Sequence, residues 1–131
     1  MKLASHKQNG QKVAIKTVNK KDMKQIEIYQ QRREIEVLKM SQHPNIVGLI
    51  DLFENSEFYY IVLEYMQGGD LFDYIQLKGT FPEEDAVVII KQILSLLSYL
   101  HQNNIVHRDI KPENIGFNTK TQWDIKITDF N

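Results

Sequence analysis

The glycine pair Gly68-Gly69 divides the chain into two halves whose residue patterns call for different secondary structure. Ahead of it, short runs of apolar and β-branched residues surround one charged helix. Behind it, the apolar spacing turns helical. That change predicts an α+β chain with two packing units rather than a single bundle or sandwich. Asn9-Gly10 is a hairpin-type turn signal. In the strand that follows, Lys12–Val18, Val13, Ile15 and Thr17 share one face while Ala14 and Lys16 share the other. Residues 20–40 carry no Gly or Pro, and Ile26, Tyr29, Ile35, Leu38 and the neighbouring Val37 recur near helical spacing. This predicts an amphipathic helix with a charged outer face, ending before His43-Pro44. Ile46–Phe53 and Phe58–Leu63 are joined at Asn55-Ser56 and read as an antiparallel hairpin.

Beyond the glycines, Asp70 is expected to cap a short helix reaching Gln76. Pro82 starts the strongest helix, and Glu83, Glu84 and Asp85 put negative charge at its positive end. Ala86, Ile90, Ile93, Leu97 and Leu100 form its apolar stripe, widened by Val87 and Leu94, and it stops near Asn103-Asn104. Short strands follow at 115–117 and 125–127, with a polar turn at Asn118–Thr121. No internal repeat interrupts the 131 residues. Their 25% charged and 42% hydrophobic content is that of a globular protein. The net charge of −1 argues against a nucleic-acid or anionic-membrane partner. Cysteine is absent, so thiolate metal sites and thiol nucleophiles are excluded. With no signal-type apolar core and no apolar run near the roughly 18–20 residues of a bilayer span, a cytoplasmic location is expected.

The segment that carries chemistry is His107-Arg108-Asp109-Ile110-Lys111-Pro112-Glu113-Asn114. It resembles the catalytic loop of the protein kinases at each diagnostic position. Val13-Ala14-Ile15-Lys16 ahead of it and Asp129-Phe130 after it stand in the family's order. The chain therefore resembles a serine/threonine protein kinase catalytic domain. His43-Pro44-Asn45-Ile46-Val47 and Gly68-Gly69-Asp70-Leu71-Phe72-Asp73 resemble its calcium/calmodulin-dependent group. The resemblance implies a partial bilobal kinase-like fold. Residues 1–66 would be a partial N-terminal lobe, a small antiparallel sheet with one long helix. Residues 67–69 would be a hinge, and 70–131 the first part of a helical lobe. A cleft between lobes is the expected site.

The implied reaction is transfer of the γ-phosphoryl of ATP to a protein Ser or Thr, with Mg2+ as cofactor. Such chemistry asks for positioning and cation clamping more than covalent work. Asp109 matches the carboxylate that orients the substrate hydroxyl, and Lys111 the cation beside the γ-phosphate. Asn114 and Asp129 match the metal ligands, oxygen donors of the kind a hard cation prefers. They are 15 residues apart (129 − 114), enough for a small hairpin to bring the chain back. Lys16 matches the lysine on the α- and β-phosphates. Its helix partner is assigned to Glu34, ahead of Glu36 and Glu27, because Leu38 four residues on matches an apolar spine position. Leu63-Glu64-Tyr65-Met66 resembles the adenine hinge. Glu64 and Met66 would offer backbone groups, with Leu63 as gatekeeper, Ala14 over the ring, Asp70 near the ribose and Gly116 on the floor. His107 and Phe130 would pack in an internal spine with Leu38 and Leu49. His6, His43 and His101 lack metal-ligand spacing.

Three departures qualify the resemblance. Only Gly10 precedes Lys16 where the family has a glycine-rich phosphate loop. Asn131 stands where the metal motif has Gly. The sequence holds no activation segment or peptide-binding platform, so the reading is of a domain truncated at both ends and marginal in stability on its own. The alternative is a catalytically inactive kinase-like fragment that binds nucleotide or protein.

Overall fold

A computed structural model describes residues 1–120 and 123–130, which form two compact units. Asn131 and Thr121 lie outside the described residues, so the expectations placed on them have no structural counterpart here. The first unit comprises Met1–Met40 and Val47–Tyr65; the second comprises Ser41–Ile46 and Met66–Asn131. Ser41–Ile46 thus groups with the later unit, although sequence order puts it among residues 1–66.

The first unit is an antiparallel sheet in the order β1-β2-β4-β3, with one helix. Strand β1 is Lys2–Ser5, β2 is Lys12–Asn19, β3 is Leu49–Glu54 and β4 is Phe58–Glu64. The Asn9-Gly10 turn joins β1 to β2, with Gly10 at φ 72° and Asn9 Oδ1 accepting the Gln11 N–H at 2.9 Å. Left-handed backbone of this kind is least costly at glycine. Asn55 makes the β3–β4 turn by accepting the N–H groups of Glu57 at 2.9 Å and Phe58 at 2.7 Å. An Asx side chain mimics a backbone turn in this way. Val13, Tyr59, Ile61 and Leu63 are buried, so the central pair β2–β4 carries the core.

Helix α1 runs from Gln25 to Met40, shorter than the 20–40 span expected. Its buried face is Gln31, Glu34, Ile35 and Leu38, an i, i+3, i+4, i+7 stripe. Ile26 and Tyr29 are exposed. The sequence pattern assigned those two to the apolar face because it weighed hydrophobicity alone, whereas this helix buries two polar residues that bond inside the unit.

The second unit contains α2 (Leu71–Lys78), α3 (Glu83–Gln102), a single 3-10 turn at Pro112–Asn114, and the hairpin β5 (Ile115–Phe117) and β6 (Ile125–Ile127). Asp70 caps α2 by accepting the Asp73 N–H at 2.8 Å, and Gly79 ends it at φ 78°. Helix α3 buries Ile89, Ile93, Leu96 and Leu100. The expected stripe is therefore displaced, since Val87, Ile90 and Leu94 are exposed. Apolar residues lie on two adjacent faces of α3, and composition cannot say which face is packed.

Residues 67–70 are strapped along β5. Gln67 N–H donates to Asn118 O at 3.3 Å, Gly68 N–H to Phe117 O at 3.0 Å, and Phe117 N–H to Gly69 O at 2.8 Å. A Cβ on Gly68 would lie 2.4 Å from both Phe117 Cβ and Thr119 O, so only glycine permits this approach. Tyr74, Phe81, Phe117 and Trp123 pack as an aromatic cluster with centroid separations of 4.9–5.9 Å. Trp123 Nε1 donates to Asp85 Oδ1 at 2.6 Å, giving that helix-start carboxylate a second role. Among the described residues no helix is long and apolar enough to cross a membrane.

Candidate active site

In the first unit, Lys16 lies mid-strand on β2 and its Nζ donates to Glu34 Oε1 at 2.8 Å. The side chains are 22% and 5% exposed respectively. Oε2 of the same carboxylate accepts from Gln31 Nε2 at 2.5 Å. A buried carboxylate needs donors on its oxygens, and α1 supplies the second from one turn earlier. Glu36 is exposed and pairs with Arg33 at 3.2 Å, and Glu27 accepts the Lys24 N–H at 2.6 Å. Glu34 is thus the glutamate of the three that α1 aims at Lys16. Gln31 escaped the sequence reading, and its only signal was the i,i+3 spacing to Glu34.

Ala14 and Leu63 are register partners across β2 and β4, and both are buried. Glu64 is half-buried. Its N–H donates to Gly48 O at 2.9 Å and its Oε1 accepts the Gly48 N–H at 2.6 Å. The Glu64 N–H is therefore committed to β3's approach, and a backbone contact to a base would fall to its carbonyl.

In the second unit three side chains of the 107–114 segment form one cluster. Lys111 Nζ donates to Asp109 Oδ2 at 2.6 Å. Asn114 Nδ2 donates to Asp109 O at 2.9 Å and to Asp109 Oδ2 at 3.1 Å. Asp109 and Lys111 are partly exposed while Asn114 is buried. The Asp109 carboxylate raises the Lys111 pKa above its ordinary value, which keeps the ammonium charged. Arg108 sits at φ 70°. Left-handed backbone at a residue with a Cβ costs about 1–3 kcal/mol and is found where a site needs it. Here it lies between His107, which is 2% exposed, and the half-exposed Asp109.

His107 packs against Phe130 at 4.8 Å between ring centroids, and its Nδ1 accepts the Asp109 N–H at 3.3 Å. Burial lowers the His107 pKa, partly offset by the Asp129 backbone and by the carboxylates of Asp109 and Asp129. The ring is a neutral scaffold, with the packing role the sequence assigned it beside Phe130.

The hairpin returns the chain to Asn114. Ile115 pairs with Ile127, and Thr128 N–H donates to Asn114 O at 3.0 Å. Asp129 therefore follows directly on a residue bonded to Asn114. The amide nitrogen of Asn114 makes both of its bonds to Asp109, which directs its carbonyl oxygen elsewhere. One amide carbonyl and one carboxylate suit a hard cation that keeps waters and shares substrate phosphates, as Mg2+ does. Gly116 pairs with Asp70 in an isolated bridge, and a Cβ on Gly116 would meet Met66 Cε and Cγ at 3.3 Å and Thr128 Cγ2 at 3.2 Å. Met66, Asp70 and Gly116 are thus neighbours. One oxygen of Asp70 caps α2, so any ribose contact would use the rest of that carboxylate.

The protein kinase domain family matches residues 1–131. The chain belongs to the protein kinase family. Among relatives of this kinase chain, calcium-dependent protein kinase 4 of Plasmodium berghei is 47% identical over 131 residues, covering 98% of this chain and 25% of that protein. Serine/threonine protein kinase OSK3 of Oryza sativa subsp. indica is 40% identical over 131 residues, covering 99% of this chain and 25% of the relative. A probable myosin light chain kinase of Dictyostelium discoideum is 40% identical over 129 residues, covering 96% and 33%. The crystal structure of Rad53 1-466 in complex with AMP-PNP matches with a TM-score of 0.86 at 37% identity, covering 98% of this chain and 33% of that one. The kinase chain therefore spans about a quarter to a third of the length of these relatives.

Proposed function

We propose that this chain supplies the nucleotide-handling and catalytic-loop part of a protein serine/threonine kinase, with ATP as phosphoryl donor and a protein Ser or Thr as acceptor. The observation that carries the reading is the cluster of Asp109, Lys111 and Asn114, with Asp129 delivered beside it by the β5–β6 hairpin. Asp109 would accept the hydrogen bond of the substrate hydroxyl and take its proton as the hydroxyl oxygen bonds to the γ-phosphorus. The bond from that phosphorus to the β,γ-bridging oxygen breaks, and ADP leaves. Lys111 would shift its ammonium from Asp109 towards the γ-phosphoryl oxygens, where negative charge must be held. Lys16, oriented by its hydrogen bond to Glu34, would take the α- and β-phosphates. Mg2+, when bound, supplies positive charge between the phosphates, and Asn114 and Asp129 would be its protein ligands. Ala14, Leu63, the Glu64 carbonyl, Met66 and Gly116 would enclose the adenine, with Asp70 near the ribose. Residues 1–66 and 70–131 would serve as parts of the two kinase lobes, joined at 67–69, in a cytoplasmic enzyme that binds neither nucleic acid nor membrane.

A second reading, a non-catalytic module that binds nucleotide or protein, is favoured by one feature: Asp109 Oδ2 already accepts from both Lys111 Nζ and Asn114 Nδ2. Two measurements separate the readings. ATP with Mg2+ should raise the melting temperature under either nucleotide-binding reading, and transfer of 32P to a basic Ser/Thr peptide should occur only under the first. Loss of both signals in Lys16→Ala and Asp129→Ala is expected. A wild-type chain with no ATP-dependent shift would overturn the nucleotide assignment.

A further inference from the structure

Strand β6, which leads to Asp129, has three residues and, among the described residues, one strand partner, β5. A two-stranded pair this short is not stable by itself. Its other edge is held by two side-chain amides from elsewhere in the unit. Asn45 Nδ2 donates to Ile125 O at 2.7 Å and to Gln92 Oε1 at 2.9 Å. Gln92 Oε1 also accepts the Ile125 N–H at 3.1 Å, and its Nε2 donates to Trp123 O at 2.5 Å and Val88 O at 3.2 Å. All four hydrogen-bonding positions of Gln92 are thereby filled. The Asn45 backbone carbonyl accepts the Ile127 N–H at 2.9 Å, beside an Ile46–Ile127 bridge.

These bonds do more than fill vacancies on buried groups. Ile125 and Ile127 are fully buried and Lys126 is half-buried. A slip of one residue would turn the lysine inward and both isoleucines outward. The amides recognise the N–H and C=O of Ile125 and the C=O of Trp123 in one register only.

We propose that Gln92 and Asn45 are positioning residues for the divalent-cation pair Asn114–Asp129: by locking the register of β6 they set Asp129 beside Asn114. The inference rests on the metal assignment made above, and neither residue is asked to touch the cation.

The test is Mn2+ binding with ATP, followed by water-proton relaxation, together with amide hydrogen exchange at Ile125 and Thr128 in the 131-residue chain. The sole tryptophan, Trp123, reports folding of this corner by fluorescence. Gln92→Leu and Asn45→Ala should each weaken Mn2+ binding about tenfold, the lower end for residues that orient metal ligands. Exchange at Ile125 should speed up about fivefold in Gln92→Leu, as expected for one lost hydrogen bond. Gln92→Glu keeps an acceptor for the Ile125 N–H, so exchange there should stay slow. Ile61→Val, a destabilising change in the other unit, should leave Mn2+ affinity unchanged. Asn45→Ala carries the test if Gln92→Leu does not fold. Wild-type Mn2+ affinity in both variants, with Asp129→Ala binding lost, overturns the positioning role alone. An equal loss in Ile61→Val also overturns it, by making the effect one of general stability. Absence of Mn2+ binding to the wild type overturns both this inference and the metal assignment beneath it.

Discussion

The two units of this kinase chain build their charged centres in opposite ways. In the sheet unit, Lys16 and Glu34 are 18 residues apart on a strand and a helix, and the carboxylate is buried with donors on both oxygens. In the helical unit, Asp109, Lys111 and Asn114 lie within six residues of one loop, and Asp109 and Lys111 remain open to solvent. The first arrangement depends on how a helix is rotated against a sheet. The second depends on local backbone geometry, including the left-handed Arg108. Removing one partner of a buried pair is costly because it strands the other charge away from water, whereas an exposed local pair contributes little to stability because water screens it.

Substitutions can break this contrast. The largest effect is expected from Asp109→Asn, which should reduce peptide phosphorylation about 10²–10⁴-fold, the range for removing a general base. The ATP-dependent melting shift should survive, because the residue is assigned to chemistry rather than to nucleotide binding. A comparable loss of ATP binding, read by calorimetry, would count against that split.

Packing gives the next effect. Leu96→Ala empties a fully buried position on α3 and should cost about 2–5 kcal/mol in urea unfolding. Leu94→Ala, at a position 59% exposed, should stay within about 0.5 kcal/mol. Equal costs at the two sites would mean that the packed face of α3 is wrongly assigned.

Glu34→Gln sharpens the comparison directly. It removes the charge-assisted bond to Lys16 and should destabilise the sheet unit by about 1.5–3 kcal/mol. Lys111→Met, removing the exposed pair, should lower stability by no more than about 1 kcal/mol. Denaturation of both variants at neutral pH checks the ordering.

The smallest effect is a pH dependence. Burial lowers the His107 pKa below its ordinary 6.5, so the unfolded chain binds the proton more tightly than the folded one. The stability His107 contributes is complete above pH 6.5 and is lost as pH falls through its folded-state value. The urea midpoint should therefore drop between pH 7.5 and pH 5, and His107→Asn should flatten that drop.

Much of this was legible in the residues. The clustering of Asp109, Lys111 and Asn114 was readable from their spacing, because three polar groups within six positions are placed by one backbone. The hairpins at Asn9-Gly10 and Asn55-Ser56 were readable for the same local reason. What misled was helix facing. Ile26 and Tyr29 were given to the core of α1 while Gln31 and Glu34 took the buried positions. On α3 the packed stripe proved to be Ile89, Ile93, Leu96 and Leu100 rather than one through Ile90 and Leu94. A one-residue error in register rotates a helix face by about 100°, and an apolar surplus on two faces gives no means of detecting it.

The order of elements along the chain and the local grouping of polar side chains within each short motif were thus legible in the sequence, since they depend on neighbours a few bonds away. The strapping of residues 67–70 to β5, the second donor that Gln31 gives Glu34, and the grip of Asn45 and Gln92 on β6 were decided by tertiary structure. Each of these joins groups far apart in the chain or satisfies a buried polar atom, and such partners are chosen only when folding removes water from them.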